Sequence, residues 1–344
     1  MKFTNINKFA ALKKWVSYNI TSGKYNKYAV KSKISGIIYR IFHASLVISL
    51  CFSILYPLLK TLPIVFCDIE DLGNPDVIWI PIKRSVTSFR AAIRLVYGNG
   101  MVMVKSLGYA AIITLIQLFI CSMTGYALGR VKFRGSNLLF FLVIITFIVP
   151  PQSLLISQYL HFKNFDIFGI IKALRGSTID LINKPYTLYI IAFLGFGVKQ
   201  SLFVFIFRQF YKGMPVELEE AALIDGCGFQ RTYYTIALPN AIPAIVTVAA
   251  LSFVWNYGDT YYTAYFHPDG PYLSNILTRT FQSANQSTVL RAITTWYNAP
   301  GATTFAFDAV KQAAVLIYLL PLLVVYFLVQ KRLVENFERS GIVG

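Results

Sequence analysis

Six stretches of this chain are apolar for long enough to cross a lipid bilayer: residues 37–59, 106–128, 138–160, 187–207, 241–257 and 312–330. A helix needs about 17–25 such residues to span the hydrocarbon layer, and the fifth run is short as drawn. The overall composition agrees, since 56% of the 344 residues are hydrophobic and 14% are charged. A water-soluble domain of this length would need more charge to cover its surface. The expected architecture is therefore an all-α integral membrane protein with six transmembrane helices.

The net charge of +17 raises nucleic acid as a partner, but its distribution argues otherwise. The basic residues collect at the ends of apolar runs, where they set orientation, and form no patch with interleaved aromatics. Residues 1–36 carry Lys2, Lys8, Lys13, Lys14, Lys24, Lys27, Lys31 and Lys33 without an acid. The link after the second run reads Arg130-Val131-Lys132-Phe133-Arg134, and the last run is followed by Lys331 and Arg332. Placing these segments in the cytoplasm puts both termini inside, along with the loop 208–240. The outward segment 61–100 has mixed charge: Asp68, Glu70, Asp71 and Asp76 beside Lys83, Arg84, Arg90 and Arg94. The first run reads as an uncleaved anchor, because its basic lead-in is long and no small-residue cleavage site follows it. The tail 1–36 reads as a segment held near anionic lipid. The expected divisions are that tail, a first helix over 37–60, the segment 61–100, a core over 101–330, and a cytoplasmic tail over 331–344.

Catalysis and metal chemistry find no support. Cys51, Cys67, Cys121 and Cys227 lack CxxC spacing, and His43, His161 and His267 are scattered, so no ligand set forms. No phosphate-binding GxxxxGK[ST], HExxH or GxSxG pattern occurs. The chain is expected to be no enzyme and to bind no cofactor.

The informative segment is the long loop 208–240. Pro215 suits the first turn of a helix. Glu217, Glu219 and Glu220 follow where a helix N-terminus favours negative charge. Ala221, Ala222 and Leu223 continue it, and Gly226 stops it by accepting the left-handed geometry of a helix end. A second helical stretch runs to Ala237, and the chain re-enters the bilayer after Leu238-Pro239. The spacing predicts a compact helix-turn-helix with a narrow alanine face.

This loop resembles the EAA motif of binding-protein-dependent ABC importer permeases: Glu-Ala-Ala, three residues, Gly, nine residues, Ile, one residue, Leu-Pro. Glu220-Ala221-Ala222, Gly226, Ile236 and Leu238-Pro239 match at every position. Gly125-Tyr126-Ala127 followed by 130–135 is similar to the stretch between the second and third spans of carbohydrate-type permeases. Val149-Pro150-Pro151-Gln152 resembles their third span, Phe207-Arg208-Gln209-Phe210 their entry to the EAA loop, and 337–344 their ending. These likenesses point to the carbohydrate branch, and to the smaller permease subunit of maltose-type importers.

The resemblance implies the type I importer permease fold, a five-helix core preceded by one extra helix, with a cytoplasmic coupling helix. It implies ATPase coupling through Glu220, Ala221, Ala222, Asp225, Gly226, Ile236, Leu238 and Pro239. It also implies a bacterial cell-membrane complex. Its parts would be a related permease as heterodimer partner, two ATPase subunits carrying ATP and Mg, and an external solute-binding protein. The substrate would be a carbohydrate, expected to be an oligosaccharide.

Pathway candidates are Lys199, Trp255, Asn256, Tyr257 and Asp259. Lys199 either lines a pathway or snorkels outward. The aromatic-polar run at 255–259 suits a sugar or an interfacial aromatic belt, and its aspartate is displaced from the family's usual position. Pro150-Pro151 and Pro243 read as kinks or helix ends. A peptide permease would share the loop. A membrane enzyme or receptor scaffold would need an ionisable cluster or signalling domain, and a secondary transporter would need inverted repeats; the chain displays none of these.

Overall fold

In the computed structural model, the described residues are 27–341 apart from 75–79, 99, 132 and 298–303, with the side chains of 27–34, 70 and 332–341 also left aside. Lys2, Lys8, Lys13, Lys14, Lys24, Asp76, Lys132 and the ending 342–344, all used in the topology or resemblance arguments, lie outside the described residues. The described residues are almost wholly helical. They hold no named strand, only two isolated bridges, Cys67 with Arg84 and Phe165 with Ile179.

The chain divides into two units, Met1–Pro63 and Ile64–Gly344. The first is dominated by helix α1 (Lys27–Val65), whose side chains Ile38, Phe42, Ile48 and Ile54 are exposed. Such a surface is stable only in lipid or against a partner.

The second unit, after a short 3-10 turn at Ile69–Asp71, continues with α2 (Thr87–Ala92), which runs into a wide turn at Ile93–Tyr97. The long helix α3 (Met101–Arg130) follows, then α4 (Ser136–Ile148) and α5 (Pro151–Lys163). Next come α6 (Ile170–Arg175), α7 (Pro185–Phe193) and α8 (Gln200–Gly213). The loop contributes α9 (Glu217–Ile224), α10 (Phe229–Thr232), a wide turn Tyr233–Ala237 and α11 (Leu238–Asn240). Then come α12 (Ile242–Tyr257), α13 (Tyr262–Phe266), α14 (Leu273–Thr280), α15 (Gln286–Tyr297) and α16 (Thr304–Gly341).

Three of the six expected spans are single helices long and apolar enough to cross a membrane: Ser35–Val65, Met101–Arg130 and Thr304–Lys331. Two others are bent pairs. The expected span 138–160 breaks by 102° between Ser136–Ile148 and Pro151–Lys163. Pro150 has an extended backbone and Pro151 opens α5, as expected where a proline excludes helix from the residue before it and suits a first turn. Phe229–Asn240 meets Ile242–Tyr257 at 75°, with Pro243 in the first turn of α12.

The expected span 187–207 is not one helix. It stops at Phe193 and resumes at Gln200. Gly195 at φ +92° and Lys199 at φ +53° take left-handed conformations that a helix interior cannot hold. Among the described residues the count is thus three uninterrupted apolar helices, or up to five with each bent pair as one.

Helix α3 organises the second unit. It packs most extensively against α8 and α12, and it contributes to all three apolar clusters through Ala110, Ile113 and Tyr126. Small residues along it let neighbouring backbones approach, the way helices associate where lipid removes the usual hydrophobic drive.

Candidate functional site

The loop between α8 and α12 is built from local rules. Helix α9 has Glu217, Glu219 and Glu220 in its first turn, complementing the positive end of its dipole. Pro215 lies just ahead of it, because Val216 is already helical and accepts from the N–H groups of Glu219 and Glu220. Gly226 takes φ +76°. Its N–H donates to the carbonyl of Leu223 at 3.0 Å, and that of Cys227 to Ala222 at 2.9 Å. That pair of bonds is a complete Schellman stop. The chain then turns through Gly228 into α10, and Pro239 falls within α11.

The expected coupling residues divide by exposure. Glu220, Ala221, Asp225, Gly226 and Pro239 are exposed, Ile236 and Leu238 are half-buried, and Ala222 is buried. Around them the outer corner of α9 is apolar and open: Leu218 is 41% exposed, Leu223 61% and Ile224 86%.

The inner side of the loop is fastened to α3 and α8. Arg130 at the end of α3 pairs with Glu219, Nε to Oε1 at 3.2 Å, and also donates to the carbonyl of Met214. The ring of Tyr126 stacks on Phe229 at 5.1 Å and meets Tyr211 and Tyr233 at 5.3 and 5.2 Å. Beneath them the Ser122 hydroxyl lies 2.7 Å from that of Tyr211 and accepts from Tyr233 at 2.9 Å. A Cβ on Gly125 would lie 2.5 Å from the Phe207 Cβ, and one on Gly129 would lie 3.3 Å from the Arg208 carbonyl. Arg208 is buried; its Nε donates to the Leu128 carbonyl at 3.1 Å and its guanidinium lies 3.6 Å from the centre of the Phe140 ring. The segment 125–131 thus meets 207–210 and 217–239, which lie far along the chain from it. The ion pair and the tyrosine cluster leave no signal in the sequence, because their partners are separated by long stretches of chain.

The pathway candidates are not gathered into one site. Lys199 is exposed in the break between α7 and α8, its ammonium 5.6 Å from the Phe147 ring centre. Trp255 is half-buried and stacks on Phe203 at 5.8 Å. Asn256 is buried, donating to Gln117 Oε1 at 2.9 Å. Tyr257 is buried, stacked 4.7 Å from Tyr318 with its hydroxyl directed to the Tyr318 carbonyl. The buried Asp259 accepts from the backbone N–H groups of Tyr261, Tyr262 and Thr263 and so opens α13. Burial pushes its carboxyl up, against the downward pull of those N–H donors.

The fold and the loop both have counterparts among known proteins. A crystal structure of a bacterial ABC transporter involved in the import of the acidic polysaccharide alginate has a chain that superposes with a TM-score of 0.63 at 18% identity, covering 86% of this chain and 97% of that one. This likeness identifies the type I importer permease fold. A probable starch degradation products transport system permease of Thermoanaerobacterium thermosulfurigenes is 35% identical over 147 residues, 43% of this chain and 47% of the relative. The chain therefore spans about half the length of that relative. A polygalacturonan/rhamnogalacturonan transport system permease of Bacillus subtilis is 24% identical over 306 residues, 85% of this chain and 94% of its own. The binding-protein-dependent transport system inner membrane component family matches residues 121–339. That stretch runs from Cys121 in α3 into the last helix and takes in the whole loop. It is well over half of the sequence, so the chain belongs to the family of binding-protein-dependent transport system inner membrane components.

Proposed function

We propose that the chain is one permease subunit of an ATP-driven importer, moving a carbohydrate inward by alternating access. The observation that carries this reading is the open apolar corner of α9. Leu218, Leu223 and Ile224 are exposed on a helix of the loop between α8 and α12, while Glu219 and Ala222 fasten its other side. An exposed apolar patch on a short, well-capped helix fits a docking surface, here for an ATPase subunit. Glu220, Ala221, Asp225 and Gly226 lie at or beside that contact, the buried Ala222 supports it from beneath, and Ile236, Leu238 and Pro239 carry its movement back into α12. ATP and Mg act on the ATPase subunits.

Carbohydrate is favoured because the similar proteins named above are described as handling starch degradation products, polygalacturonan or rhamnogalacturonan, and alginate. An oligosaccharide fits that series. The remaining parts of the proposal are a second permease as partner, an external solute-binding protein, six membrane crossings and both termini in the cytoplasm. Of the pathway candidates, Lys199 and Trp255 retain surface for a solute, whereas Asn256, Tyr257 and Asp259 would act by holding α12 and α13 in place.

The test is ATP hydrolysis stimulated by the binding protein in proteoliposomes, comparing the intact complex with Gly226→Pro and Glu220→Ala. Stimulation is expected to collapse in complexes that still assemble. Normal hydrolysis and uptake in both variants would remove the coupling role. Labelled oligosaccharide against labelled peptide as the transported solute separates the substrate classes.

A further inference from the structure

We infer that the cleft between the end of α3, residues 133–137 and α9 binds the phosphate of an anionic phospholipid headgroup. The cleft has a volume of about 780 Å³ and is lined by Arg130, Arg134, Arg208 and Lys212, against Glu219 and Glu220. Four cations and two carboxylates leave an excess of two positive charges.

The pairing within the cleft sharpens the point. Glu219 is taken by Arg130. Arg208 is 5% exposed, and among the described residues its partners are neutral: the Leu128 carbonyl, the Asn137 Oδ1 at 3.5 Å and the Phe140 ring. A buried guanidinium without an opposite charge is costly to hold, and an anion in the cleft relieves that cost. Arg134 and Lys212 are exposed at its mouth and form no ion pair among the described residues.

The position selects the source of the anion. The cleft lies where α3 ends and α4 begins, and α4 presents Leu138, Phe141 and Leu142 as exposed apolar residues beside it. Acyl chains can run along that face while the phosphate reaches the charges at the bilayer edge. Guanidinium forks match a phosphate in two-point contact and a lysine serves as a point charge. Basic pockets at helix ends are suited to lipid headgroups for this reason. The cleft is also roomier than a bare phosphate ion requires. The inference rests on the membrane reading of the chain, and not on which solute is moved.

The experiment is a binding titration of the detergent-purified complex with phosphatidylglycerol, phosphatidylcholine and inorganic phosphate, read as retained lipid by native mass spectrometry. It needs neither nucleotide nor solute, so its failure leaves the importer reading intact. Phosphatidylglycerol is expected to be preferred over phosphatidylcholine. The pair Arg134→Ala with Lys212→Ala should weaken phosphatidylglycerol binding about 30-fold, while Arg134→Lys with Lys212→Arg keeps it. Should the alanine pair fail to assemble, Glu220→Gln removes a competing carboxylate and should tighten phosphatidylglycerol binding. Equal retention of the two lipids would overturn the inference. So would displacement of phosphatidylglycerol by millimolar phosphate, which points to a free anion, or binding seen only after the ATPase subunits are stripped away, which points to a partner's carboxylate.

Discussion

Gly125 of α3 faces Phe207 of α8 so closely that a Cβ added to the glycine would sit 2.5 Å from the Phe207 Cβ and 2.9 Å from the Arg208 backbone nitrogen. Neither neighbour can swing aside, since one is the root of a buried side chain and the other is backbone. Gly125→Ala therefore forces the two helices apart, at about 1–3 kcal/mol for overpacking a close contact. Gly129→Ala, with 3.3 Å to the Arg208 carbonyl oxygen, should cost less. Thermal unfolding of the purified complex gives the comparison. Equal tolerance of the two substitutions would show that the crossing at Gly125 is looser than described.

The pair Arg130–Glu219 ties the loop to α3 at 3.2 Å, with 9% and 17% of the side chains accessible. Exposed ion pairs contribute little, and buried ones lose several kcal/mol when a single partner is removed. This one is mostly shielded, so a double-mutant cycle with Arg130→Met and Glu219→Gln should give a coupling of about 1–2 kcal/mol. Each single variant should also reduce stimulated ATP hydrolysis more than it reduces the melting temperature, because the pair orients α9. A coupling near zero would leave the loop held by its tyrosines alone.

Much of this loop could be read before the fold was known, because its chemistry is local. Gly226 stops α9 with two hydrogen bonds to residues of the same helix, and Pro150-Pro151 breaks a span by rules that act on adjacent residues. The break at 194–199 had a local signal too, in Gly195 and Gly197, but a long apolar run hides it when hydropathy is averaged. Arg130–Glu219 and the Ser122–Tyr211–Tyr233 hydroxyls had none, since each joins residues about 90 or more apart. The run 255–259 shows a further boundary of sequence reading. Polar and aromatic residues at the end of a span suit a solute, a lipid interface or their own neighbours, and only the fold shows that Asn256, Tyr257 and Asp259 bond within the chain.

His267 lies beyond α13, outside the membrane-spanning helices, with Nδ1 2.7 Å from the Tyr272 hydroxyl. Burial holds the imidazole below its ordinary value, against the upward pull of the Asp269 carboxylate, which is itself held by Asn183. With its proton on Nε2 the neutral ring accepts from the Tyr272 O–H, and a proton on Nδ1 removes that acceptor. The unfolded chain then binds the proton more readily than the fold does, so stability rises with pH in this window. It is full above the unfolded value of about 6.5 and declines as pH falls below it towards the lowered folded value. Melting measured from pH 7.5 to 5 should show wild type losing ground relative to His267→Gln as the medium acidifies. A difference between the two that stays constant with pH would remove His267 as the cause.

Gln117 joins α3 to two other elements with one side chain. Its Oε1 accepts from Ser252 at 2.6 Å and from Asn256 at 2.9 Å, and its Nε2 donates to the carbonyl of Val198 at 3.1 Å. The last bond supplies a partner for a backbone carbonyl exposed by the break between α7 and α8, where no helical neighbour can. Water is scarce at this depth, so an amide that loses its partners stays unpaired. Gln117→Leu should cost about 1–3 kcal/mol for each buried group it strands. Asn256→Leu alone strands less, because Ser252 still bonds to Gln117. In the double variant both sides of the Gln117–Asn256 bond are gone, so the combined loss should fall short of the sum of the singles. Unfolding of the four proteins in one detergent decides it: strict additivity would mean that Gln117 and Asn256 act independently.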